Sequence, residues 1–227
     1  MIVAIDGPAG SGKSTVARGV ARRLGFTYLD SGAMYRAVTL AALEAGIDVE
    51  DGEALGLIAE RATIELRERD HVYVQVMLDG RDVSELIRTP KVTGASSRVA
   101  AHPDVRRALL AKQRSLIEAG NYVVEGRDIG TVVAPDAPVK VFLTADADER
   151  ARRRAAELER RGTQAQTGEV KKAIEQRDTL DSTRSAAPLR AAGDAVTIDT
   201  TGMEAQDVIE RVAALAEQAQ ISSAEAE

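Results

Sequence analysis

The chain has 227 residues, a formal net charge of −6, 44% hydrophobic and only 3% aromatic residues, and neither cysteine nor tryptophan. The length suits one α/β domain carrying an insertion. The missing thiols exclude disulfides, thiolate metal centres and cysteine nucleophiles and fit a reducing compartment. The negative balance argues against a general nucleic-acid-binding face, while local arginines can still focus a field inside a cleft. With so few aromatics the core must be aliphatic. No stretch approaches the ~20 apolar residues of a membrane span, and the apolar run before Asp6 is too short for a signal peptide. A cytoplasmic monomer with no membrane or nucleic-acid partner is expected.

In chain order, Ile2-Val3-Ala4-Ile5 reads as a buried strand. Gly7-Pro8-Ala9-Gly10-Ser11-Gly12-Lys13-Ser14 follows and matches G-x-x-x-x-G-K-[ST] at every fixed position. Val16, Ala17, Val20, Ala21 and Leu24 then mark a helix. Strand, glycine loop, Lys-Ser and helix together define a P-loop. Gly7, Pro8, Ala9, Gly10, Ser11, Gly12, Lys13, Ser14 and Thr15 are therefore expected to bind ATP. The glycines let backbone N–H groups converge on a polyphosphate, and the helix N-terminus adds its positive dipole end. Lys13 reaches the β- and γ-phosphates, and the Ser14 hydroxyl is placed to ligate Mg²⁺.

Phe26 to Leu29 reads as a second strand ending at Asp30, followed by a helix that Gly46 stops. Residues 53–62 suggest a short helix. Residues 63–88 change character: alternating apolar and polar positions with Arg69-Asp70 and Asp79-Gly80 as turn pairs predict a small antiparallel meander. Residues 93–101 are small and polar. A helix is expected from Val105 to Glu118, strands at 121–124 and 139–143, and an arginine-rich helix over 149–161. A polar connection over 162–168 leads to a helix from Glu169, a last strand at 195–199 and an amphipathic closing helix from Met203 to Ala216. Ser222 to Glu227 reads as a frayed acidic tail. His71 and His102 read as turn residues.

Five short strands separated by helices predict a parallel sheet with helices on both faces. Ligands in such sheets gather at the carboxyl ends of the strands. Here those ends are Asp6, Asp30, Glu125 to Asp128, Thr144 and Asp199, nearly all polar. A GTPase switch would carry Asn-Lys-x-Asp, and the tetrapeptide is absent. A kinase of small acceptors needs arginines for a second anion and a mobile lid. Arg36, Arg127, Arg177 and Arg184 follow strand ends or the polar connection, and Arg177, Asp181 and Arg184 share one helical face by their spacing of four and three. The same spacing would also suit a surface ion-pair ladder, and Arg106 a solvated helix face.

Five segments carry a family resemblance: residues 7–14, Asp-Ser-Gly-Ala-Met-Tyr-Arg at 30–36, Glu-Gly-Arg-Asp-Ile-Gly-Thr at 125–131, Pro-Asp-Ala-Pro-Val-Lys at 135–140, and Arg177-Asp178 with Asp181 and Arg184. The chain resembles the bacterial cytidylate kinases over nearly its whole length. That resemblance implies a P-loop kinase core over 1–62 and 91–227, with a lid near 150–168 and a nucleoside-monophosphate-binding insert at 63–90. It implies ATP + (d)CMP ⇌ ADP + (d)CDP with Mg²⁺ and direct in-line transfer. By the same resemblance Ser97, Arg106 and Asp128 read cytosine, and Arg36, Arg127 and Arg184 clamp the acceptor phosphate. Arg177 and Asp181 contact the ribose, and Ser31 stands near the acceptor. Lys13, Arg127, Arg184 and Arg154 form the expected catalytic set, with one or two of Arg150, Arg153, Arg154 and Arg161 at the transferring phosphoryl. The loop Thr200-Thr201-Gly202 is a place for the adenine. Another small acceptor, or a nucleotide-dependent switch, are the rival readings.

Overall fold

The computed structural model describes residues 1–69, 73–160, 162 and 166–225. His71 and Arg161, the tip of the 63–88 meander, part of the 162–168 connection and the last two residues of the tail lie outside the described residues. Five strands, β1 (Ile2–Asp6), β2 (Thr27–Asp30), β6 (Tyr122–Gly126), β7 (Val139–Thr144) and β8 (Val196–Asp199), form a wholly parallel sheet in the order β2-β6-β1-β7-β8. Three further strands, β3 (Ile64–Arg69), β4 (Tyr73–Leu78) and the two-residue β5 (Arg81–Asp82), form a separate antiparallel sheet. It spans most of the predicted meander.

The central strand β1 is apolar because both its faces are covered; Val3, Ala4 and Ile5 have no exposed surface. On one face lie α1 (Lys13–Leu24) and α8 (Ala205–Glu225), whose Val16, Val20, Val208 and Val212 pack with Val3, Ile5, Val141 and Ile198. On the other, α5 (Pro103–Ile117) brings Leu110 and Leu116 to Ala4, Leu29, Val124 and Ile129. A second cluster joins α2 (Ser31–Glu44), α3 (Gly52–Arg61) and α5 to Val76, Leu78 and Ile87. The larger fully buried side chains are nearly all aliphatic, as the composition requires.

The register carries Asp6 beside Gly126, Asp30 beside Glu125 and Thr144 beside Asp199, so these residues end on one edge of the sheet. Two local features differ from expectation. The small, polar stretch at 93–101 belongs to a helix, α4 (Pro90–Val99), opened by Pro90 at its first turn and packed through Val92, Ala95 and Val99. Its apolar positions are few, and tertiary packing rather than propensity holds it. Past β6 the chain makes a π-type turn at Ile129–Val133. His102 precedes α5 and its Nε2 lies 2.8 Å from the Val49 carbonyl oxygen, a turn contact.

Helices α6 (Ala147–Arg160) and α7 (Thr167–Thr183) form a hairpin over the sheet's carboxyl edge. Its small core is Ala151, Ala155, Val170 and Ile174, joined by Leu158 and by Ala9 from the P-loop. So little buried apolar area makes the hairpin a segment of low local stability.

Candidate active site

A cavity of about 560 Å³ opens at the carboxyl ends of β1, β2 and β6, between α2, α4 and α7. That size accommodates a small organic ligand. Its walls include Lys13, Ser31, Arg36, Ser97, Arg106, Arg127, Asp128, Arg154, Arg177, Asp181 and Arg184, all named from sequence as site residues. Of the P-loop, Ala9, Gly10, Lys13 and Ser14 reach the cavity, whereas Thr15 is exposed on α1.

The P-loop geometry requires glycine at its start. Gly7 has φ 150°, and a Cβ there would stand 2.1 Å from the Leu143 carbonyl oxygen. Beyond it, Ser11 Oγ donates to the Pro8 carbonyl at 3.0 Å, and Lys13 Nζ donates to that same carbonyl at 2.6 Å. Lys13 is buried. Burial and the nearby Arg127 push its ammonium down to about 7, against the pull of Glu125. Ser14 Oγ donates to Glu125 Oε2 at 2.9 Å, and Tyr28 donates to the other oxygen of Glu125. Burial and neighbouring Asp30 raise the Glu125 carboxyl.

The acceptor side is a lattice of arginines and aspartates. Arg106 donates to the Asp128 carboxylate and lies over the Tyr35 ring, 5.4 Å from its centroid. Arg184 stands 3.7 Å from the other oxygen of Asp128 and 3.9 Å from Asp181. Asp181 also accepts from Arg127 Nε at 2.9 Å and pairs with Arg177 at 3.9 Å. Burial alone would raise the Asp181 carboxyl, but the guanidiniums of Arg127, Arg177 and Arg184 hold it below the usual carboxylate range. Arg177 is itself pushed down to about 10 by burial and by Arg127. Helix α7 ends at Thr183, so Arg184 sits just beyond the helical face as its C-cap. Arg36 pairs with Asp30 at 2.7 Å, and Ser31 Oγ donates to the Glu125 carbonyl at 2.7 Å. Ser97 Oγ, Arg36 Nε and Arg184 Nη2 are buried with no hydrogen-bond partner among the described residues. Buried donors are rarely left in that state, and an anionic, polar ligand would satisfy them.

The arginines of α6 divide. Arg150 donates to the Ala9 carbonyl at 3.1 Å and to Asp178, so it braces the P-loop from outside. Arg153 donates to Thr200 Oγ1 at 2.9 Å and to the Thr200 carbonyl at 2.7 Å. Arg154 lines the cavity and pairs with Glu157 at 2.7 Å. The Thr200 hydroxyl in turn lies 3.3 Å from the Ser11 carbonyl, so the loop after β8 abuts the P-loop.

A family model described as cytidylate kinase matches residues 3–218. The chain belongs to the cytidylate kinase family. It is 50% identical over 212 residues to a cytidylate kinase of Carboxydothermus hydrogenoformans, covering 93% of this chain and 95% of that one. It is 50% identical over 210 residues to a cytidylate kinase of Shouchella clausii, covering 92% and 93%. Among solved structures, a gluconokinase from Sinorhizobium meliloti shares the fold, with TM-score 0.50, 15% identity, and 99% and 97% of the two chains covered. Cytidylate kinases are phosphotransferases, and the five-stranded P-loop kinase core is the one seen here.

Several cavity residues carried no clear sequence signal. Asp30 and Glu125 were legible as strand ends, but their pairing with Arg36, Ser14 and Tyr28 was not. Arg88 lines the cavity from a short 3₁₀ turn at Leu86–Arg88 that no periodicity marks. Asp178 was visible as a motif member, whereas its contact with the Ala9 N–H at 3.2 Å depends on the folded hairpin.

Proposed function

We propose that this chain transfers the γ-phosphoryl group of Mg·ATP to CMP or dCMP by direct in-line displacement. One observation carries the reading: the P-loop Lys13, the Ser97, Arg106 and Asp128 side chains, and Arg36, Arg127 and Arg184 all line a single cavity. Cytosine offers an N4 donor beside N3 and O2 acceptors. The Asp128 carboxylate and Ser97 hydroxyl accept from N4, and Arg106 donates to the acceptors. Uracil would set O4 against the carboxylate, acceptor facing acceptor, and a site built this way rejects such a mismatch strongly.

Arg36, Arg127 and Arg184 clamp the acceptor phosphate with bidentate forks. Arg177 and Asp181 take the ribose, with Ser31 beside them. Residues 7–15 cradle the ATP phosphates. Lys13 leaves the Pro8 carbonyl for the β- and γ-phosphates, and Arg154 with Lys13, Arg127 and Arg184 neutralises charge on the transferring group. The attacking phosphate oxygen is already anionic, so positioning and charge neutralisation suffice without a strong base. The residues present suit Mg²⁺: Ser14 Oγ lies 2.9 Å from Glu125 Oε2, a pairing of hard oxygen donors. Ser14, beside Glu125, would hold Mg²⁺, which would supply positive charge against the substrate phosphates.

We assign the core to 1–62 and 91–227, the acceptor insert to 63–90 and the lid to about 150–168. Lid closure would exclude water and suppress hydrolysis of ATP. No described helix is long and apolar enough to cross a membrane, and we place the enzyme in the cytoplasm as a monomer with no nucleic-acid partner. ADP formation from Mg·ATP with CMP, dCMP, UMP, AMP or no acceptor tests the reading. Strong stimulation by CMP and dCMP alone is expected; equal turnover without acceptor would overturn it.

A further inference from the structure

Asp6 closes β1 directly before the P-loop, yet it is absent from the cavity wall and is buried. Its two carboxylate oxygens accept from two successive backbone groups, the Ile129 N–H and the Gly130 N–H, each at 2.8 Å. These are the first N–H groups of the π-type turn at Ile129–Val133. The first donors of a helical turn have no acceptor within it. Asp6 supplies both from 123 and 124 residues away. The turn's own bonds run back to the Asp128 carbonyl, from Val132 N–H at 2.9 Å and Val133 N–H at 3.2 Å.

Asp128 therefore stands immediately ahead of the two amides that Asp6 holds. Its carboxylate direction is set at one end by Arg106 and at the other by this anchored turn. Little slack remains, because Ile129 is fully buried and a Cβ on Gly130 would already stand 3.3 Å from Lys140 and 3.5 Å from Asp6 Oδ2. Burial raises the Asp6 carboxyl to about 6, so at pH 7.5 it is mostly ionised and presents two acceptors. An asparagine could present one acceptor and would turn a donor toward the other N–H.

We propose that Asp6 is a positioning residue for recognition of the acceptor base: by holding the Ile129 and Gly130 amides it fixes how Asp128 is offered to cytosine. The proposal rests on Asp128 reading the base. It also makes one strand end serve both substrates, with the ATP loop leaving from its backbone and the base reader hanging from its side chain.

The test is steady-state kinetics of Asp6→Asn beside Asp128→Asn, with CMP, UMP and Mg·ATP varied separately. For Asp6→Asn, kcat/KM for CMP should fall about tenfold or more, mainly through KM, the scale of a misaligned polar contact. UMP and the KM for Mg·ATP should move by no more than about twofold. Equal losses for CMP and UMP, or an equal rise in the KM for Mg·ATP, would mean that Asp6 merely supports the fold and overturn the proposal. If Asp128→Asn lowers the CMP/UMP ratio while Asp6→Asn does not, the Asp6 proposal alone fails. If neither changes the ratio, the assignment of Asp128 fails with it. Should Asp6→Asn not fold, hydrogen exchange in the ligand-free wild-type chain gives a second reading. The Ile129 and Gly130 amides should exchange as slowly as that of Ala4 in β1; exchange at exposed-loop rates would overturn the proposal.

Discussion

The Lys13 ammonium donates to the carbonyl oxygen of Pro8 at 2.6 Å, folding the lysine back over its own loop. Burial and Arg127 lower this group to about 7. A triphosphate would restore the charged form, because an adjacent anion favours it. Above pH 7 the free lysine is largely neutral, so ATP binding must take up a proton. Uptake attributable to Lys13 should approach about one proton per ATP at pH 8 and be small at pH 6. Calorimetry in buffers of different ionisation enthalpy, with Lys13→Met subtracted, measures it. Identical proton counts for the two proteins at pH 8 would show that Lys13 is already charged without nucleotide.

Asp181 is the shared counter-ion of Arg127, Arg177 and Arg184. Removing one partner of a buried charge group is costly, about 3–5 kcal/mol. Asp181→Asn should lower Tm by roughly 10 °C for a chain of this size. The carboxyl lies below its ordinary range, so its contribution is complete above about pH 4 and is lost as acidification passes its lowered folded pKa. The wild-type and variant melting curves should therefore converge in acid. An anion without a ribose would partly replace the lost charge, so inorganic phosphate should raise the Tm of the variant more than that of the wild type. Differential scanning calorimetry with and without phosphate decides this, and equal ligand-induced shifts would contradict it.

The sheet and the P-loop were legible because each leaves a local trace, whereas Ser97, Arg106 and Asp128 came to notice as a set only through the family resemblance. Buried parallel strands are continuous apolar runs, as in Ile2-Val3-Ala4-Ile5, and the phosphate loop must use glycine where φ is positive. The antiparallel sheet at 64–82 was legible from alternation. Helix α4 was not, since Thr93, Gly94, Ser96 and Ser97 have poor helix propensity and are held by packing on α2. The division of labour among Arg150, Arg153 and Arg154 was also illegible: within little more than one turn of α6 they reach the P-loop, Thr200 and the cavity. Asp6 looked like one polar strand end among five. Its partners lie in a π-type turn, for which single-sequence patterns offer no mark.

Gly7 supports a sharper stability prediction. Its φ of 150° and the 2.1 Å separation between the Leu143 carbonyl oxygen and the place a Cβ would occupy leave no room for a side chain. Gly7→Ala should cost at least about 2 kcal/mol, combining backbone strain with displacement of β7. Gly193, with open space around its Cβ position, is the control, and Gly193→Ala should be nearly neutral. Urea unfolding of both variants compares them. Equal midpoints would mean that the loop can reorganise around the added carbon.

Arg150 and Asp178 clamp one residue of the P-loop between them. Arg150 Nη1 donates to the Ala9 carbonyl at 3.1 Å, the Ala9 N–H donates to Asp178 at 3.2 Å, and the two side chains pair. Arg150 belongs to α6 and Asp178 to α7, so both helices of the hairpin grip the same residue. Arg150→Met keeps much of the side-chain length but removes the donors and leaves Asp178 without its cation. The P-loop should then lose its outer brace, raising the KM for Mg·ATP about tenfold, with a smaller change in the KM for CMP, for which Ser97, Arg106 and Asp128 are the proposed base contacts. Misplacement by even about 1 Å also slows transfer, so kcat should fall together with ATP affinity. Steady-state kinetics with each substrate varied at saturating partner provides the comparison. A variant with wild-type KM for Mg·ATP would show that the loop holds its shape without the hairpin.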